Sequence, residues 1–414
     1  MNAKKPRNKR IHFISTNPSF WGGSEDLWHG LAMKALEEGH EVLVSVFRHP
    51  QVPDPIRKLE SKGARMDYRR LPCYHPGQSF PSLVWAHFLN RLNWNRFDIA
   101  WWWASRFKAD AILVSAGEAL DGYLFDDSFP IRDAIRRGIP YLFIGHFHHE
   151  HSKILSKSDR ERKARFLGQA AAQLFVSIRN LQMTRSELQQ DLPNARIIHN
   201  PLHVKESPSR RTKPGPTIRM AFVARLECEV KCQDLVVQAL ADASFEGMDL
   251  IFYLYGEGDD REYLESLISY HGLEGKVRLM GRHPNPGEIW DDHEILVLTS
   301  RGEGTPLTLF EAMRAGRTAI VTNAGDSALW MADGRGYICP APTVEAIRET
   351  LLRAFSERAT WEEKGERCRL YLRSKWMPNH ADDVYSALLG EGPAGEIGFE
   401  GEAYLKHLDS DMAT

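Results

Sequence analysis

Short apolar runs alternate with longer amphipathic segments along almost the entire chain. The runs are rich in Val, Ile, Leu and Phe, a composition typical of strands that are buried on both faces. They predict strands at 11–15, 42–47, 111–115, 141–145, 174–178, 196–199, 220–224, 250–255, 277–281, 295–299 and 318–321. Helical spacing lies between them, as at 25–38 and 157–172. Strands that alternate with helices in this way predict parallel, doubly wound α/β sheets.

The segment 204–217 interrupts this pattern near the middle of the chain. It contains turn formers and charged residues without apolar periodicity, as is typical of an interdomain linker. We therefore predict two Rossmann-like domains that face each other across a cleft, since ligands of such sheets bind at the carboxyl ends of the strands. The predicted parts are a basic tail at 1–10, a first domain at 11–203, the linker at 204–217, a second domain at 218–375, a C-terminal helix at 376–390 that packs back on the first domain, and a flexible tail at 391–414.

Composition excludes several classes of protein. The 414 residues are 43% hydrophobic and 26% charged, as in ordinary globular proteins, and their number suits two domains. A net charge of −2 gives no reason to expect nucleic acid as a partner. No apolar run reaches the ~18–20 residues that span a bilayer, and residues 1–10 lack the apolar core of a secretory signal. Five scattered cysteines favour reduced thiols in the cytoplasm.

The segment 80–107 is rich in Trp and Phe and also carries arginines, and two interpretations of it stay open. A helix packed on a sheet would bury these aromatic residues. An interfacial helix would instead use them, together with the arginines, to contact a membrane or an acceptor. Peripheral contact with the inner face of the membrane is therefore left open.

Residues 293–323 form the segment with the most candidate functional groups. A strand leads into a glycine-punctuated turn that carries Glu303, and a helix that begins around Pro306 carries Glu311. The start of such a helix offers unpaired N–H groups and a positive dipole end, which attract an anion such as phosphate. The two carboxylates beside it could accept hydrogen bonds from sugar hydroxyls.

Two other interpretations of these carboxylates remain. A glycosidase pair would lie ~5 Å or ~6.5–9.5 Å apart. Glu303 and Glu311 are ~12 Å apart along a continuous helix, but the loop before Pro306 could shorten that distance. Both could also be acids on the surface of the helix and its start.

Two further places supply groups for binding an anion. Arg225 ends a predicted strand and Lys231 precedes a helix, so both cations could neutralise a diphosphate together with the amides at 305–307. The alternative is that both are solvated surface cations. Near the start of the chain, Gly22 and Gly23 follow a strand and allow close backbone approach to a ligand, with Ser24 as a helix cap. The Gly-x-Gly-x-x-Gly spacing of a dinucleotide site is absent.

The histidines and cysteines of the sequence do not form a ligand set typical of a metal site, and we predict none. His146 ends the strand at 141–145, where it could contact a ligand, whereas His148, His149 and His151 are expected on a solvated loop or as helix caps. No matching ligand set lies elsewhere in the sequence. Two cysteines four positions apart, Cys228 and Cys232, have no companion pair and are expected to pack in the ordinary way.

Taken in order, these blocks resemble the GT-B glycosyltransferases, specifically the large retaining family called family 4, over residues 10–390. The resemblance rests on Gly22-Gly23-Ser24-Glu25, the segment 140–146, Asn200-Pro201, Arg225-Leu226-Glu227 with Lys231, Gln233 and Asp234, Gly256-Glu257-Gly258, and the Glu-x7-Glu signature from Glu303 to Glu311.

This resemblance implies roles around a nucleotide-sugar donor. Arg225 and Lys231 would bind the diphosphate, and Glu303 would hold hydroxyls of the donor sugar. The backbone around the phosphates would be that of Gly304, Thr305, Pro306 and Leu307.

The resemblance also implies contacts to other parts of the donor and to the acceptor. Glu311 would hydrogen-bond the ribose, and Arg282 would lie beside the base. His146 would contact the sugar near the reacting centre, and Gly23 would approach the donor phosphate or the acceptor. Of the four residues expected to take part in catalysis, three (Arg225, Lys231 and Glu303) also bind the donor, and His146 is the fourth.

The implied activity is that of a retaining, hexosyltransferase-type glycosyltransferase that needs neither metal nor cofactor. Its co-substrate would be a nucleotide-diphosphate sugar, and its acceptor a hydroxyl of a glycan, lipid-linked or small molecule, as in polysaccharide biosynthesis. The base (UDP, GDP or ADP), the sugar, the acceptor and the oligomeric state stay open. Cys232 stands where the family usually has glycine, Thr299 where it commonly has proline, and Asp326 and Leu329 where it often has glycine and glutamate. A nucleotide-sugar epimerase and a catalytically silent binding subunit are the alternatives.

Overall fold

A computed structural model gives the fold of most of the chain. It describes residues 8–18, 21–69, 106–120, 134–148, 154–202, 215–377, 380–394 and 397–409. The chain divides into two compact units. Unit 1 comprises Met1–Pro201 and Met377–Tyr404, and unit 2 comprises Leu202–Trp376 and Leu405–Thr414. Most of the Trp-rich segment, most of the predicted linker, and both His149 and His151 lie outside the described residues.

Unit 1 is built on a seven-stranded parallel sheet with the order β3-β2-β1-β4-β5-β6-β7. The order changes direction between β1 and β4, which makes their carboxyl ends the expected ligand position. The strands are β1 Arg10–Ser15, β2 Glu41–Phe47, β3 Arg65–Arg69, β4 Ala111–Glu118, β5 Tyr141–Phe147, β6 Ala172–Phe175 and β7 Ala195–Ile197. The helices described between them are α1 Gly23–Glu37, α2 Asp54–Ser61, α3 Lys157–Gln169 and α4 Ile178–Leu188.

Helix α1 shows how the sequence positions the first loop of unit 1. Gly22 precedes it in extended conformation, and Glu25 and Asp26 lie in its first turn, where the helix dipole favours acids. Its buried face includes Leu27, Trp28, Leu31, Ala32 and Ala35, which pack in the core of the sheet. Burial of this face fixes the helix start against the end of β1.

Unit 2 repeats the architecture with a six-stranded parallel sheet of order β10-β9-β8-β11-β12-β13. The strand order of this sheet changes direction between β8 and β11. The strands are β8 Ile218–Val223, β9 Leu250–Tyr255, β10 Val277–Gly281, β11 Ile295–Leu298, β12 Thr318–Thr322 and β13 Tyr337–Cys339. The helices are α5 Cys228–Lys231, α6 Gln233–Leu240, α7 Arg261–Tyr270, α8 Pro286–Asp292, α9 Leu307–Arg314, α10 Ser327–Met331, α11 Val344–Ser356 and α12 Trp361–Lys375. The two doubly wound parallel sheets confirm the predicted fold class.

After α12 the chain returns to unit 1. Helix α13, His380–Leu388, contributes Val384, Tyr385 and Leu388 to the core beneath β1 and β4. Where the chain returns, the N–H of Met377 donates to His199 Nδ1 at 3.0 Å.

The last part of the chain differs from the flexible tail expected from residue 391. Phe399 forms an antiparallel bridge with Ile197, and helix α14 covers Gly401–Asp409. Tyr404 is fully buried and Ile397 joins the core of unit 1. The glycine and glutamate content suggested disorder, but these few large apolar side chains are enough to order residues 397–409.

Within the described part of the chain, no helix is both long enough and apolar enough to cross a bilayer.

Candidate functional site

In unit 2 the loops that follow β8 and β11 meet at the carboxyl edge of the sheet. Lys231, at the end of α5, donates from Nζ to Glu303 Oε1 at 2.7 Å. Ser300 donates from Oγ to the same oxygen at 2.6 Å. The N–H of Arg301 donates to the carbonyl of Val230 at 2.8 Å, which joins the two loops through their backbones. A cation and a carboxylate predicted from distant parts of the sequence are therefore brought to one point.

The Lys231–Glu303 pair is largely shielded from water. The side chain of Glu303 is 9% exposed and that of Lys231 is 19% exposed. Charges in such surroundings are screened less than surface charges, so each can act strongly on a ligand that displaces water there. The arrangement offers an ammonium for an anion and, beside it, an oxygen that accepts hydrogen bonds.

Arg225 lies in a different environment at the end of β8. Its guanidinium contacts Glu227 at 3.5 Å, and the two side chains are 44% and 43% exposed. Exposed pairs of this kind contribute little free energy, so a ligand could replace Glu227 at small cost. The backbone is held more firmly, because Gln233 Nε2 donates to the carbonyl of Arg225 at 2.6 Å.

The predicted helix after Glu303 begins one residue later than expected. Pro306 is the cap residue with φ −70° and ψ 111°, and α9 starts at Leu307. The helix start has no side-chain cap, and the N–H of Leu309 donates to the carbonyl of Pro306 at 3.0 Å. Gly304, Thr305 and Pro306 are buried, whereas Glu311, one turn into the helix, is half-buried. Free N–H groups at an uncapped helix start are suited to an anion.

Close backbone approach keeps these loops in place. Gly325 has φ +52°, and a Cβ built there would lie 2.0 Å from the carbonyl oxygen of Gly304. Gly256 has φ +142°, and its Cβ would lie 1.9 Å from the carbonyl oxygen of Ala224. A side chain at either position would displace the loop that carries Glu303 or the loop that carries Arg225.

Arg282 follows β10, two strands away from β8 in the sheet, and is exposed. The preceding Gly281 has φ +70° and accepts a hydrogen bond from the N–H of Gly256 at 2.9 Å. Arg282 therefore shares the sheet edge with Lys231 and Glu303, although no contact among the described residues joins it to them.

Cys232, the departure from the family's glycine, has the left-handed conformation that glycine favours, with φ 58° and ψ 35°. Arg301 Nη1 lies 3.1 Å from its buried Sγ, and Thr299 Oγ1 donates to its carbonyl at 3.4 Å. Burial raises the pKa of the Cys232 thiol to about 11 and that of Cys228 to about 12. Both thiols are protonated at neutral pH and therefore poor nucleophiles. Within the described ranges, no group of three His, Cys, Asp or Glu side chains could hold a metal ion.

In unit 1, His146 lies near the end of β5 and is buried. Its Nε2 is 3.1 Å from Ser115 Oγ on the neighbouring strand β4, and its Nδ1 has no hydrogen-bond partner in the described part of the chain. Burial lowers the pKa of His146 to about 4, so the ring is neutral at pH 7. A neutral ring with an unpartnered nitrogen can accept or donate one hydrogen bond to a ligand.

Next to the Gly22–Gly23 loop lies the buried carboxylate of Glu25, a residue of the quoted block for which the sequence predicted no role. Glu25 Oε2 accepts from Asn17 Nδ2 at 2.7 Å and from Ser24 Oγ at 2.5 Å, while Oε1 accepts from Ser15 Oγ at 3.1 Å. Burial raises the pKa of Glu25, and these hydrogen bonds oppose that shift. Gly23 itself is the exposed first residue of α1.

This loop and His146 are parts of one sheet edge. The N–H of Thr16 donates to the carbonyl of Ser115 at 3.0 Å, and the N–H of Gly117 donates to Thr16 Oγ1 at 3.3 Å. The signal for Ser115 was present in the sequence, since it is a polar residue that directly follows an apolar run.

His148 corrects a further expectation. It is buried rather than solvated, and its Nε2 lies 3.0 Å from Glu187 Oε2. Its ring is thus held between α4 and the end of β5, because Glu187 of α4 supplies a carboxylate partner there.

The chain was then compared with known proteins. Residues 217–357 match the sequence model of the family described as Glycosyl transferases group 1. A relative in Streptococcus agalactiae, the UDP-N-acetylglucosamine–peptide N-acetylglucosaminyltransferase GtfA subunit, is 30% identical over 27% of this chain and 22% of its own length. The N-acetyl-alpha-D-glucosaminyl L-malate synthase of Bacillus anthracis is 26% identical over 41% of this chain and 45% of its own length. The chain thus spans less than half of the length of each of these relatives.

Solved structures match over more of the chain. Anabaena Alr3699/HepE in complex with UDP and glucose has a TM-score of 0.67 and 13% identity, over 93% of this chain and 100% of that one. WaaG, a glycosyltransferase involved in lipopolysaccharide biosynthesis, has a TM-score of 0.58 and 14% identity, over 92% of this chain and 100% of that one. At these identities the likeness shows a shared fold, and that fold is GT-B.

Proposed function

We propose that the protein is a metal-independent, retaining hexosyltransferase with a nucleotide-diphosphate sugar as donor, because residues 217–357 match the glycosyl transferases group 1 model and the chain has the GT-B fold. The observation that carries the proposal is the shielded Lys231–Glu303 pair beside the uncapped start of α9. It puts a cation for phosphate and an oxygen for sugar hydroxyls next to each other.

The chemical task is to break a sugar–phosphate bond and deliver the sugar to a hydroxyl. Negative charge grows on the leaving diphosphate, so Lys231, Arg225 and the amides at the start of α9 stabilise the transition state more than the ground state. Glu311, one turn into the helix, accepts hydrogen bonds from the ribose. The cations and the helix start supply the positive charge that a metal would otherwise bring.

Glu303 is better suited to binding hydroxyls than to the acid–base chemistry of a hydrolase. Its Oε1 already accepts hydrogen bonds from Lys231 and Ser300, so this oxygen is held as a hydrogen-bond acceptor beside a cation. With no nucleophile assigned, retention follows from attack on the same face of the sugar, assisted by the departing phosphate. Neutral His146 holds a donor-sugar hydroxyl near the reacting carbon.

The first donors to test are UDP-N-acetylglucosamine and UDP-glucose. The S. agalactiae relative is named for UDP-N-acetylglucosamine, and the Anabaena structure contains UDP and glucose. The acceptor is the hydroxyl of a glycan or lipid-linked molecule, and the enzyme acts in the cytoplasm, at the inner face of the membrane when the acceptor is a lipid. The relatives act on different acceptors by their names, a peptide and malate among them, so they do not select one.

A thermal-shift screen with UDP, GDP and ADP, followed by transfer assays, tests the proposal. A nucleotide that binds only the folded protein raises its melting temperature. We expect UDP to do so, and Lys231→Ala and Glu303→Ala to lower the rate of transfer by about 10²–10³-fold. Glu227→Gln is the matched control, because it removes an exposed carboxylate from the same loop.

Three results would overturn the assignment. If transfer is unchanged in both Lys231→Ala and Glu303→Ala, the site is wrong. Epimerised donor without transfer to any acceptor would identify an epimerase. Donor binding by calorimetry without turnover would identify a binding subunit.

A further inference from the structure

Unit 1 contains a cavity of about 230 Å³ at the carboxyl ends of β1 and β2. One wall is apolar and carries two indoles, Trp21 and Trp28, together with Phe47, Val52 and Ile56. Trp28, Phe47 and Ile56 are buried, so this wall is a fixed part of the core rather than a set of mobile side chains. Pockets for drug-sized ligands measure ~300–1,000 Å³, so this one suits a single ring or a short branched hydrocarbon.

The polar wall of the cavity offers little to a sugar. It includes Ser15, Asn17 and Glu25, and the first two donate to the two oxygens of the third. Tyr68 also lines the cavity, and its hydroxyl donates to Glu60 Oε1 at 2.6 Å. Ser24 adds another hydrogen bond to Glu25 Oε2. A hydroxyl-rich ring gains affinity only where its hydroxyls meet oriented polar partners, and here those partners are largely used among themselves. The cavity therefore favours an apolar occupant.

The mouth of the cavity carries positive charge. Arg48 follows β2, is exposed, and makes no ion pair with any residue that the structure describes. Its backbone is fixed, because its N–H donates to the carbonyl of Arg69 at 2.7 Å. His49 also lines the cavity. A ligand with an anionic group next to its apolar part would pack its apolar part against the apolar wall and place its negative charge at the mouth, near Arg48.

Hydrogen bonds also link the cavity to His146, the residue of unit 1 assigned to sugar transfer. Asn17 lines it and directly follows Thr16, whose N–H donates to the carbonyl of Ser115, the residue that holds His146. From these observations we propose that the cavity binds the apolar group of an amphiphilic, anionic acceptor, with its phosphate or carboxylate at Arg48. This rests on the proposed glycosyltransferase function and narrows its acceptor.

The test measures binding of small probes to the full chain by saturation-transfer NMR. The probes are phenyl phosphate, inorganic phosphate and methyl β-glucoside. We expect phenyl phosphate to bind, Val52→Trp to weaken it at least tenfold by filling the cavity, and Arg48→Gln to weaken it about threefold or more. Lys58→Trp, on the exposed face of helix α2, which begins two residues after Val52, is the matched control and should bind like the wild type.

The same variants are tested with UDP by thermal shift, which reports on unit 2 and on folding. Phenyl phosphate that binds Val52→Trp as well as the wild type would overturn the cavity assignment. So would methyl β-glucoside or inorganic phosphate binding as tightly as phenyl phosphate. If UDP raises the melting temperature while phenyl phosphate does not bind, the acceptor proposal fails and the proposed function stands. If phenyl phosphate binds as expected but no sugar is transferred to any acceptor, the proposed function fails and the binding site stands.

Discussion

Cys232 is the residue at which conformation and chemistry can be separated most cleanly. Its left-handed φ of 58° costs a non-glycine residue about 1–2 kcal/mol. Cys232→Gly and Cys232→Ala both lose the buried thiol, but only glycine relieves the strain. We expect the Gly variant to be more stable than the Ala variant by about 1 kcal/mol in urea unfolding. At Cys228, which begins the helical segment α5, the order should reverse, because glycine is the poorer helix former.

His146 gives the protein a dependence of stability on pH. Its pKa is about 4 in the folded protein, below the ordinary value of 6.5. Between these values the unfolded chain binds a proton that the folded chain does not, so stability falls as pH falls from 6.5 towards 4. From pH 6.5 to 5 the loss due to this residue is about 2 kcal/mol. Buried His12, with a pKa of about 3, should act in the same direction.

The variant His146→Asn isolates this contribution. It keeps a polar side chain but cannot be protonated, and His12 is unchanged, so the variant should lose less stability than the wild type between pH 6.5 and 5. Chemical denaturation at both pH values measures the difference. Equal losses in the two proteins would show that the ring is protonated in the folded state.

Single residues also show how much of a binding site can be predicted from the sequence. Lys231 was predicted because it precedes a helix, and Glu303 because it lies in a glycine-punctuated turn between a strand and a helix. Ser300 and Ser115 were not predicted, since a serine after an apolar run is common, and its partner is set by strand order. The exposure of Arg282 and the burial of His148 likewise depend on what packs nearby.

At the scale of elements, the glycine turns that hold the two loops of unit 2 are more vulnerable than the helices beside them. Gly325→Ala places a methyl group 2.0 Å from the carbonyl oxygen of Gly304, at a φ of +52°. We expect it to lower the stability by at least about 2 kcal/mol and to weaken UDP binding, because the loop that carries Glu303 must move. Urea unfolding and UDP titration measure the two effects. Gly275→Ala is the control, since a Cβ there meets nothing within 4 Å; equal effects at both positions would contradict the argument.

Most strands could be predicted from apolar runs, and the two that were missed have clear reasons. Strand β3 reads Arg-Met-Asp-Tyr-Arg, and two of its charged residues, Asp67 and Arg69, are buried instead of solvated. Asp67 accepts a hydrogen bond from Ser45 Oγ at 2.7 Å, and Ser45 Oγ is 2.8 Å from His12 Nε2. These buried polar side chains therefore find partners on one another across three strands. Strand β13 is only three residues long. The predicted strand 174–178 ended too late because Ser177 caps α4, accepting from the N–H of Asn180.

At the scale of the whole molecule, the two units are not two consecutive pieces of sequence. Unit 1 takes Met1–Pro201 and then Met377–Tyr404, with all of β8 to β13 inserted between them. Its core therefore depends on a helix that follows the whole of the second sheet in the chain. A helix was predicted at 376–390, and the structure has α13 at His380–Leu388. The buried apolar residues after Gly390 are too sparse to form a pattern.

This discontinuity predicts which unit responds to a change in α13. Leu388 is buried in the core of unit 1, and Leu388→Ala should cost about 2–5 kcal/mol by leaving a cavity. Hydrogen exchange should then quicken in the backbone amides of β1, β2 and β4, while those of β8, β11 and β12 keep their protection, because local stability follows the cooperative unit. Asp383→Ala, on the exposed face of the same helix, should leave both sheets unchanged. Equal loss of protection in both sheets would mean that the two units unfold together. In that case the rise in melting temperature caused by UDP would also be smaller in Leu388→Ala than in the wild type.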